Sequence, residues 1–285
     1  MNNILYVDKL SKKRKGDEFS LNSISFTISS KEIIGFIGKN GAGKSTTIKT
    51  ILNGFKKTSG NIYFDGENID SNQNLFKENI GVVFDDIKVQ RELTPKQLNN
   101  VFKNIYKSWN SKLFFENISK FKLPENQQVQ KFSRGMTMKL SLSIALSHEP
   151  KLLILDEATA GLDPSGREEV LEILEKYVEK YRASIFMSSH ITSDIESIAD
   201  KLIFIKNGDI VLKVNKSDLI QNYSVFICSE DEYANIQNED IVARRLSEDK
   251  FEVVTSNKSN YPDFITKEKA DIDDITKIIM RGEVL

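Results

Sequence analysis

One cysteine, two histidines, one tryptophan and five prolines in 285 residues set the first limits. A single cysteine, Cys228, permits neither an internal disulfide nor a cysteine metal cluster. Its setting in the apolar stretch SVFICSE reads as a small buried hydrophobe. Two histidines are too few for a histidine-built metal site. The net charge is only −1, so no bulk basic field argues for nucleic acid and no polybasic arm for an anionic membrane. The one locally basic segment, KLSKKRK from Lys9 to Lys15, reads as a solvated loop between two strands. No apolar run approaches the roughly 20 residues that a membrane span needs. The opening MNNILYVDKL also lacks the apolar stretch of a signal peptide. The expectation is a cytosolic chain whose membrane role, if any, comes through a partner.

What is present is strand and helix in alternation. Ile4 to Val7 and Phe19 to Ile28 read as strands, the second by its alternating FSLNSISFTI. Apolar runs at 33–37, 80–84, 151–155, 183–188 and 202–205 read as buried strands. Helices are expected at 45–53, 166–181 and 193–199. From about Val89 to Ser147 the texture is helical: Thr94-Pro95 starts one helix, Ser133 caps another, and Trp109 reads as a packed aromatic. Such alternation implies a mainly parallel sheet with crossover helices. After about Lys216 polar residues increase, short strands follow, and DIDDITKIIM reads as a helix. That segment is expected to be a small α+β appendage.

Two motifs carry chemistry by their residue types alone. Gly38-Lys39-Asn40-Gly41-Ala42-Gly43-Lys44-Ser45-Thr46 is a complete phosphate loop between an apolar strand and a helix. Its glycines let backbone N–H groups curl around phosphates, Lys44 reaches the β- and γ-phosphates, and Ser45 supplies a hydroxyl for Mg²⁺. The helix that follows adds its positive end. The second motif, LLILDE, ends an apolar strand in Asp156 and Glu157 at the carboxyl edge of the sheet. Asp156 suits Mg²⁺ and Glu157 suits polarising an attacking water.

Phe132-Ser133-Arg134-Gly135-Met136, Gly161-Leu162-Asp163-Pro164 and Ser188-Ser189-His190 complete an ordered set. Over roughly residues 1–215 the chain resembles the ATP-binding-cassette (ABC) transporter ATPases. The resemblance implies a P-loop NTPase core with a mainly parallel sheet, an antiparallel β subdomain and a helical subdomain at about 87–142. Residues 216–285 form the C-terminal accessory α+β domain. It also implies head-to-tail pairing, as a homodimer or heterodimer. ATP then lies between the phosphate loop of one subunit and Ser133, Arg134 and Gly135 of the other. Asp163 would sit in the loop that crosses the interface, and His190 would contact the γ-phosphate and order the attacking water. The chain departs from the family at three places. FSRGM replaces the usual LSGGQ. Asp85 stands where a glutamine normally senses Mg²⁺, and is expected to ligate the metal or orient water. Arg14 aligns with the aromatic that stacks on adenine, with Phe19 as an alternative.

The implied role is an energising subunit for separately encoded transmembrane permease subunits, at the cytoplasmic face of the membrane. The chain looks most like the ATPases of bacterial ABC-2-type exporters, including the subgroup that exports antimicrobial or cytolytic peptides such as phenol-soluble modulins. The alternative is a soluble ABC ATPase acting on ribosomes or DNA. Against it, the chain has neither a second cassette nor a long heptad insertion.

Overall fold

A computed structural model describes residues 3–13, 20–260 and 271–284. The elements in chain order begin with β1 (Asn3–Lys13), β2 (Ser20–Ser29), β3 (Ile33–Ile37), α1 (Lys44–Ile51), β4 (Ser59–Phe64), β5 (Glu67–Asn68), α2 (Gln73–Glu78) and β6 (Ile80–Val83). The middle of the chain supplies α3 (Pro95–Ile105), α4 (Ser111–Lys120), α5 (Arg134–Leu146), β7 (Leu152–Asp156) and α6 (Pro164–Tyr181). After these come β8 (Ser184–Ser189), α7 (Thr192–Ile198), β9 (Lys201–Lys206) and β10 (Asp209–Asn215). The remainder holds α8 (Lys216–Asn222), β11 (Ser224–Cys228), α9 (Glu230–Tyr233), β12 (Ile241–Ser247), β13 (Lys250–Thr255), α10 (Ile272–Arg281) and β14 (Glu283–Val284).

The central sheet runs β10-β9-β3-β8-β7-β6 and is parallel except for β10 on β9. Its strands are apolar on both sides because both faces are covered. Period-two alternation sorts the side chains. Ile34, Phe36, Leu152, Ile154 and Phe186 join the cluster shared with α1 and the antiparallel sheet β2-β1-β4-β5. Ile33, Ile37, Leu153, Leu155 and Ile185 face the helices on the other side. Phe186 ties the layers, with ring centroids 5.3 Å from Phe26 and 5.0 Å from Phe36.

The helical region forms as its caps dictate. Thr94 and Gln97 make a reciprocal capping box ahead of Pro95. Trp109 donates from Nε1 to Asn99 Oδ1 at 2.9 Å and stacks on Phe102. His148, just beyond α5, is buried against Tyr106 with centroids 4.0 Å apart. Its Nε2 lies 2.9 Å from the Ile80 carbonyl, which can only accept, so Nε2 carries the proton. Burial holds the His148 pKa below its ordinary value, against the raising effect of the Ile80 bond. The unfolded chain therefore takes up this proton first. Stability present above the unfolded value near 6.5 is lost as pH falls, by at most about 1.4 kcal/mol per pH unit. His148→Gln keeps an N–H donor without titrating. It is expected to shrink the loss of melting temperature between pH 7 and pH 5; an equal loss in both proteins would place the acid sensitivity elsewhere.

The C-terminal sheet, β11-β13-β12-β14, is antiparallel. Its β12–β13 hairpin turns on Glu248 and Asp249, both at positive φ, where the sequence placed a turn. Helix α10 lays Ile275, Ile278 and Ile279 into the same apolar cluster that backs the central sheet. Burying each isoleucine contributes about 1.5–3 kcal/mol. Two polar contacts fix the join. Thr192 Oγ1 donates to Asp273 Oδ1 at 3.0 Å, and Lys206 Nζ donates to the Ile279 carbonyl at 2.8 Å. The appendage is thus packed on the core rather than strung from it. Cys228 is buried, as the sequence suggested, and burial pushes its thiol up to about 11.

The structure differs from the sequence reading at two edges. Residues from Lys9 to Lys13 are not loop but continue β1, because a bulge with Lys9 at φ 49° lets the strand turn and pair on with β2 and β4. The short helix α2, capped by Asn72 on the Leu75 N–H, and the strand β10 were both unforeseen.

Candidate functional site

The site is assembled at the carboxyl ends of β3, β7 and β8. After β3 the chain must curl sharply. Gly43 sits at φ 119°, and a Cβ on Gly38 would lie 2.6 Å from the Ile205 carbonyl, so neither position accepts a side chain without strain. The loop is braced by the Ala42 N–H on the Lys39 carbonyl and the Gly208 N–H on the Ala42 carbonyl, 3.0 and 2.9 Å. Helix α1 then begins at Lys44, so its unpaired N–H groups and positive end face the loop's concavity.

Lys44 is buried, with Nζ 2.7 Å from the Gly38 carbonyl and 3.3 Å from Glu157 Oε1. Ser45 Oγ donates to Asp156 Oδ1 at 3.1 Å. Asp156 is buried at the end of β7, and its Oδ1 takes a second hydroxyl from Ser188 at 2.7 Å. Glu157, the next residue, stands at φ 55°, a left-handed conformation costing about 1–3 kcal/mol. Its N–H is held by the Ser188 carbonyl at 3.1 Å and Oγ at 3.2 Å. That turn brings its carboxylate to His190, with Oε2 2.5 Å from Nδ1 and 3.2 Å from the backbone N–H.

Lys44, Ser45, Glu157 and His190 share one cavity of about 490 Å³, walled by Lys39 to Gly41, Gly43 to Thr46, Asp85, Arg134, Glu157 and His190; Gly38 and Asp156 do not border it but hold Lys44 and Ser45 from behind. The structure therefore brings together most of the sequence-predicted residues. Three groups stand apart. Ala42 turns its methyl into the apolar core and uses its N–H within the loop, so it braces the cradle rather than lining it. Ser133, Gly135 and Asp163 do not border the cavity of their own chain. In one chain Ser133 caps α5 through the Met136 N–H, and Asp163 caps α6 through the Gly166 N–H. Arg14 and its alternative Phe19 lie outside the described residues. Asp85 is exposed on the rim, whereas Asp86 beside it is ion-paired with Lys88 and Arg91, which hold its carboxyl below the usual range.

Sequence reasoning missed Ser188. Its hydroxyl links Asp156 to the Glu157 turn, and the only signal was its position at the end of a buried strand two residues before His190. Arg134, expected to face a partner's nucleotide, also borders the cavity of its own chain.

The ABC transporter family model matches residues 21–160. Among curated proteins, the chain is 34% identical over 205 residues to the bacitracin transport ATP-binding protein BcrA of Bacillus licheniformis, covering 71% of this chain and 67% of that one. It is 35% identical over 228 residues to the lantibiotic transport ATP-binding protein SrtF of Streptococcus pyogenes, covering 75% and 95%. Among solved structures, the ATP-binding subunit of an ABC transporter superposes with a TM-score of 0.70 at 27% identity, covering 76% of this chain and 91% of that chain.

Proposed function

The chain belongs to the ABC transporter ATP-binding family, and from that premise we propose that it is the ATP-hydrolysing subunit of a bacterial membrane exporter. The observation that carries this reading is the single cavity in which the phosphate loop, Glu157 and His190 converge, with Asp156 joined to it through the Ser45 hydroxyl. Backbone N–H groups of the loop and Lys44 bind the triphosphate. Glu157 polarises the attacking water, and His190, hydrogen-bonded to the Glu157 carboxylate, fixes its orientation. Asp85 adds a rim carboxylate that orders water at the same end of the cavity.

The donor set suits Mg²⁺. A serine hydroxyl and a buried carboxylate, Ser45 and Asp156, meet at 3.1 Å, and both are hard oxygen ligands. Among the described residues no cluster of three His, Cys, Asp or Glu side chains forms a self-sufficient metal cage. A metal shared between two protein oxygens, phosphates and water fits that pattern. When bound, Mg²⁺ would neutralise charge developing on the phosphates.

Ser133, Gly135 and Asp163 are proposed to complete a second chain's site across a dimer. The segment from about 216 onward is proposed as an accessory part that braces the core. Among the described residues no helix is long and apolar enough to cross a membrane. The chain is therefore proposed to act at the cytoplasmic face, held there by transmembrane permease subunits through the helical region 87–142. The bacitracin and lantibiotic names of its relatives support a cargo of the antimicrobial or cytolytic peptide class.

The test is affinity capture of the Glu157→Gln chain from detergent-solubilised native cells in Mg-ATP, read by mass spectrometry. A multi-span membrane protein in stoichiometric amount is the expected result. Ribosomal or DNA-processing proteins with no membrane partner would replace the exporter reading by a soluble ABC ATPase.

A further inference from the structure

We infer that Arg134 reads the γ-phosphate of the nucleotide bound by its own chain, and so sets the preference for ATP over ADP before any second subunit engages. The inference rests on the phosphate-loop reading above and deepens it. Three observations carry it. First, of the Ser133-Arg134-Gly135 segment only Arg134 borders the phosphate-loop cavity. Second, its side chain is laid across Gly161: a Cβ there would lie 2.6 Å from Nε, 2.7 Å from Cδ and 2.9 Å from Cζ. Gly161 stands at φ 87°, so this close approach depends on its having no side chain. The guanidinium is exposed and lies over Gly161 without an anion beside it. Third, among the described residues it has no hydrogen-bond or ion-pair partner, although Asp85 borders the same cavity.

An unpaired guanidinium on the wall of a phosphate site is a planar fork of donors that two phosphate oxygens can accept from. Its neighbours locate it along the nucleotide. Arg134 stands at the Asp85 end of the cavity, because the two also border the adjoining cavity together, and Asp85 is proposed to order the attacking water on the γ side. Arg134 and Asp85 also border the adjoining cavity of about 420 Å³, which runs past Thr137 and Ser141 of α5. Phosphate at the γ position would therefore pull on the first turn of α5 and on Gly161 of the loop before α6. The arrangement couples the third phosphate to the two segments expected at a dimer interface.

The test is calorimetric titration of the full chain with the β,γ-imido analogue of ATP and with ADP, each with Mg²⁺. Protein concentrations are those at which light scattering gives a monomer. Arg134→Ala is expected to weaken the triphosphate about tenfold to a hundredfold, the range for one charge-assisted contact, while ADP affinity stays within about twofold. Arg134→Lys should recover part of the loss. Arg134→Gln serves as a second variant should alanine lower the melting temperature. Equal weakening of both nucleotides would mean that Arg134 only supports the Gly161 loop, and would overturn the inference. Unchanged binding of both would also overturn it and return Arg134 to a role across the dimer. If the parent chain itself bound neither nucleotide, the phosphate-loop reading would fall, and this inference with it.

Discussion

Lys44→Ala is expected to lower ATP affinity by about 10²- to 10⁴-fold with little change in melting temperature. The loss follows from what Lys44 offers. Its ammonium is buried at the start of α1, within reach of the Gly38 carbonyl and Glu157, so it is a desolvated cation aimed into the cavity. Two charge-assisted contacts to the β- and γ-phosphates are together worth about 3–6 kcal/mol. The fold should tolerate the change because the loop is braced by backbone bonds at Ala42 and Gly208, which do not involve the lysine side chain. Alanine is also the best helix former for the first position of α1. Glu157 keeps His190 as a partner when Lys44 is removed. The measurement is calorimetric titration with ATP at matched protein stability. Affinity within about threefold of the parent would sink the phosphate-loop assignment, because among the described residues no other single cation in the cavity is both buried and placed at a helix start.

The legible parts of the fold were those in which one local signal had one physical meaning. Short apolar runs such as 33–37 and 152–155 fit strands covered on both faces, and the central sheet has strands there. The α/β core and the family were readable from motifs and alternation, and the antiparallel β subdomain followed from the family resemblance. The less legible parts depend on contacts distant in sequence. Lys9 to Lys13 carry charge, yet they stay in β1 because β2 and β4 flank them and a bulge re-aims the strand. The isoleucines of α10 announced an amphipathic helix, but not that their partner would be the core beside α7. Around the site, residue types named the phosphate loop, Asp156, Glu157 and His190. They did not name Ser188, since a serine ending a buried strand carries no distinctive pattern until Asp156 and Glu157 are folded onto it. Nor did they show that Arg134 borders the cavity of its own chain: a motif position says where the backbone stands, not how far a side chain as long as arginine reaches.

Glu157→Gln is expected to keep ATP affinity near the parent value while turnover falls by about 10²- to 10⁴-fold, the range of a lost general base. The substitution is nearly isosteric, and the backbone that shapes the turn is untouched: the Glu157 N–H remains on Ser188. What changes is charge. In the parent, one carboxylate oxygen lies 3.3 Å from Lys44 and the other 2.5 Å from His190 Nδ1. Phosphate oxygens would compete with Glu157 for Lys44, leaving the carboxylate with His190 as its remaining partner and free to accept a proton from water. An amide at that position can orient water but cannot take its proton. With hydrolysis blocked, two chains that close on ATP should stay closed, so gel filtration in Mg-ATP should show a dimer that the parent shows only transiently. Turnover equal to the parent would assign the base elsewhere, and Asp85 on the same rim would be the residue to replace next. A slow enzyme that remains monomeric in ATP would keep Glu157 as the base. It would remove the premise that identical chains pair, and would point to a different ATPase chain as the partner.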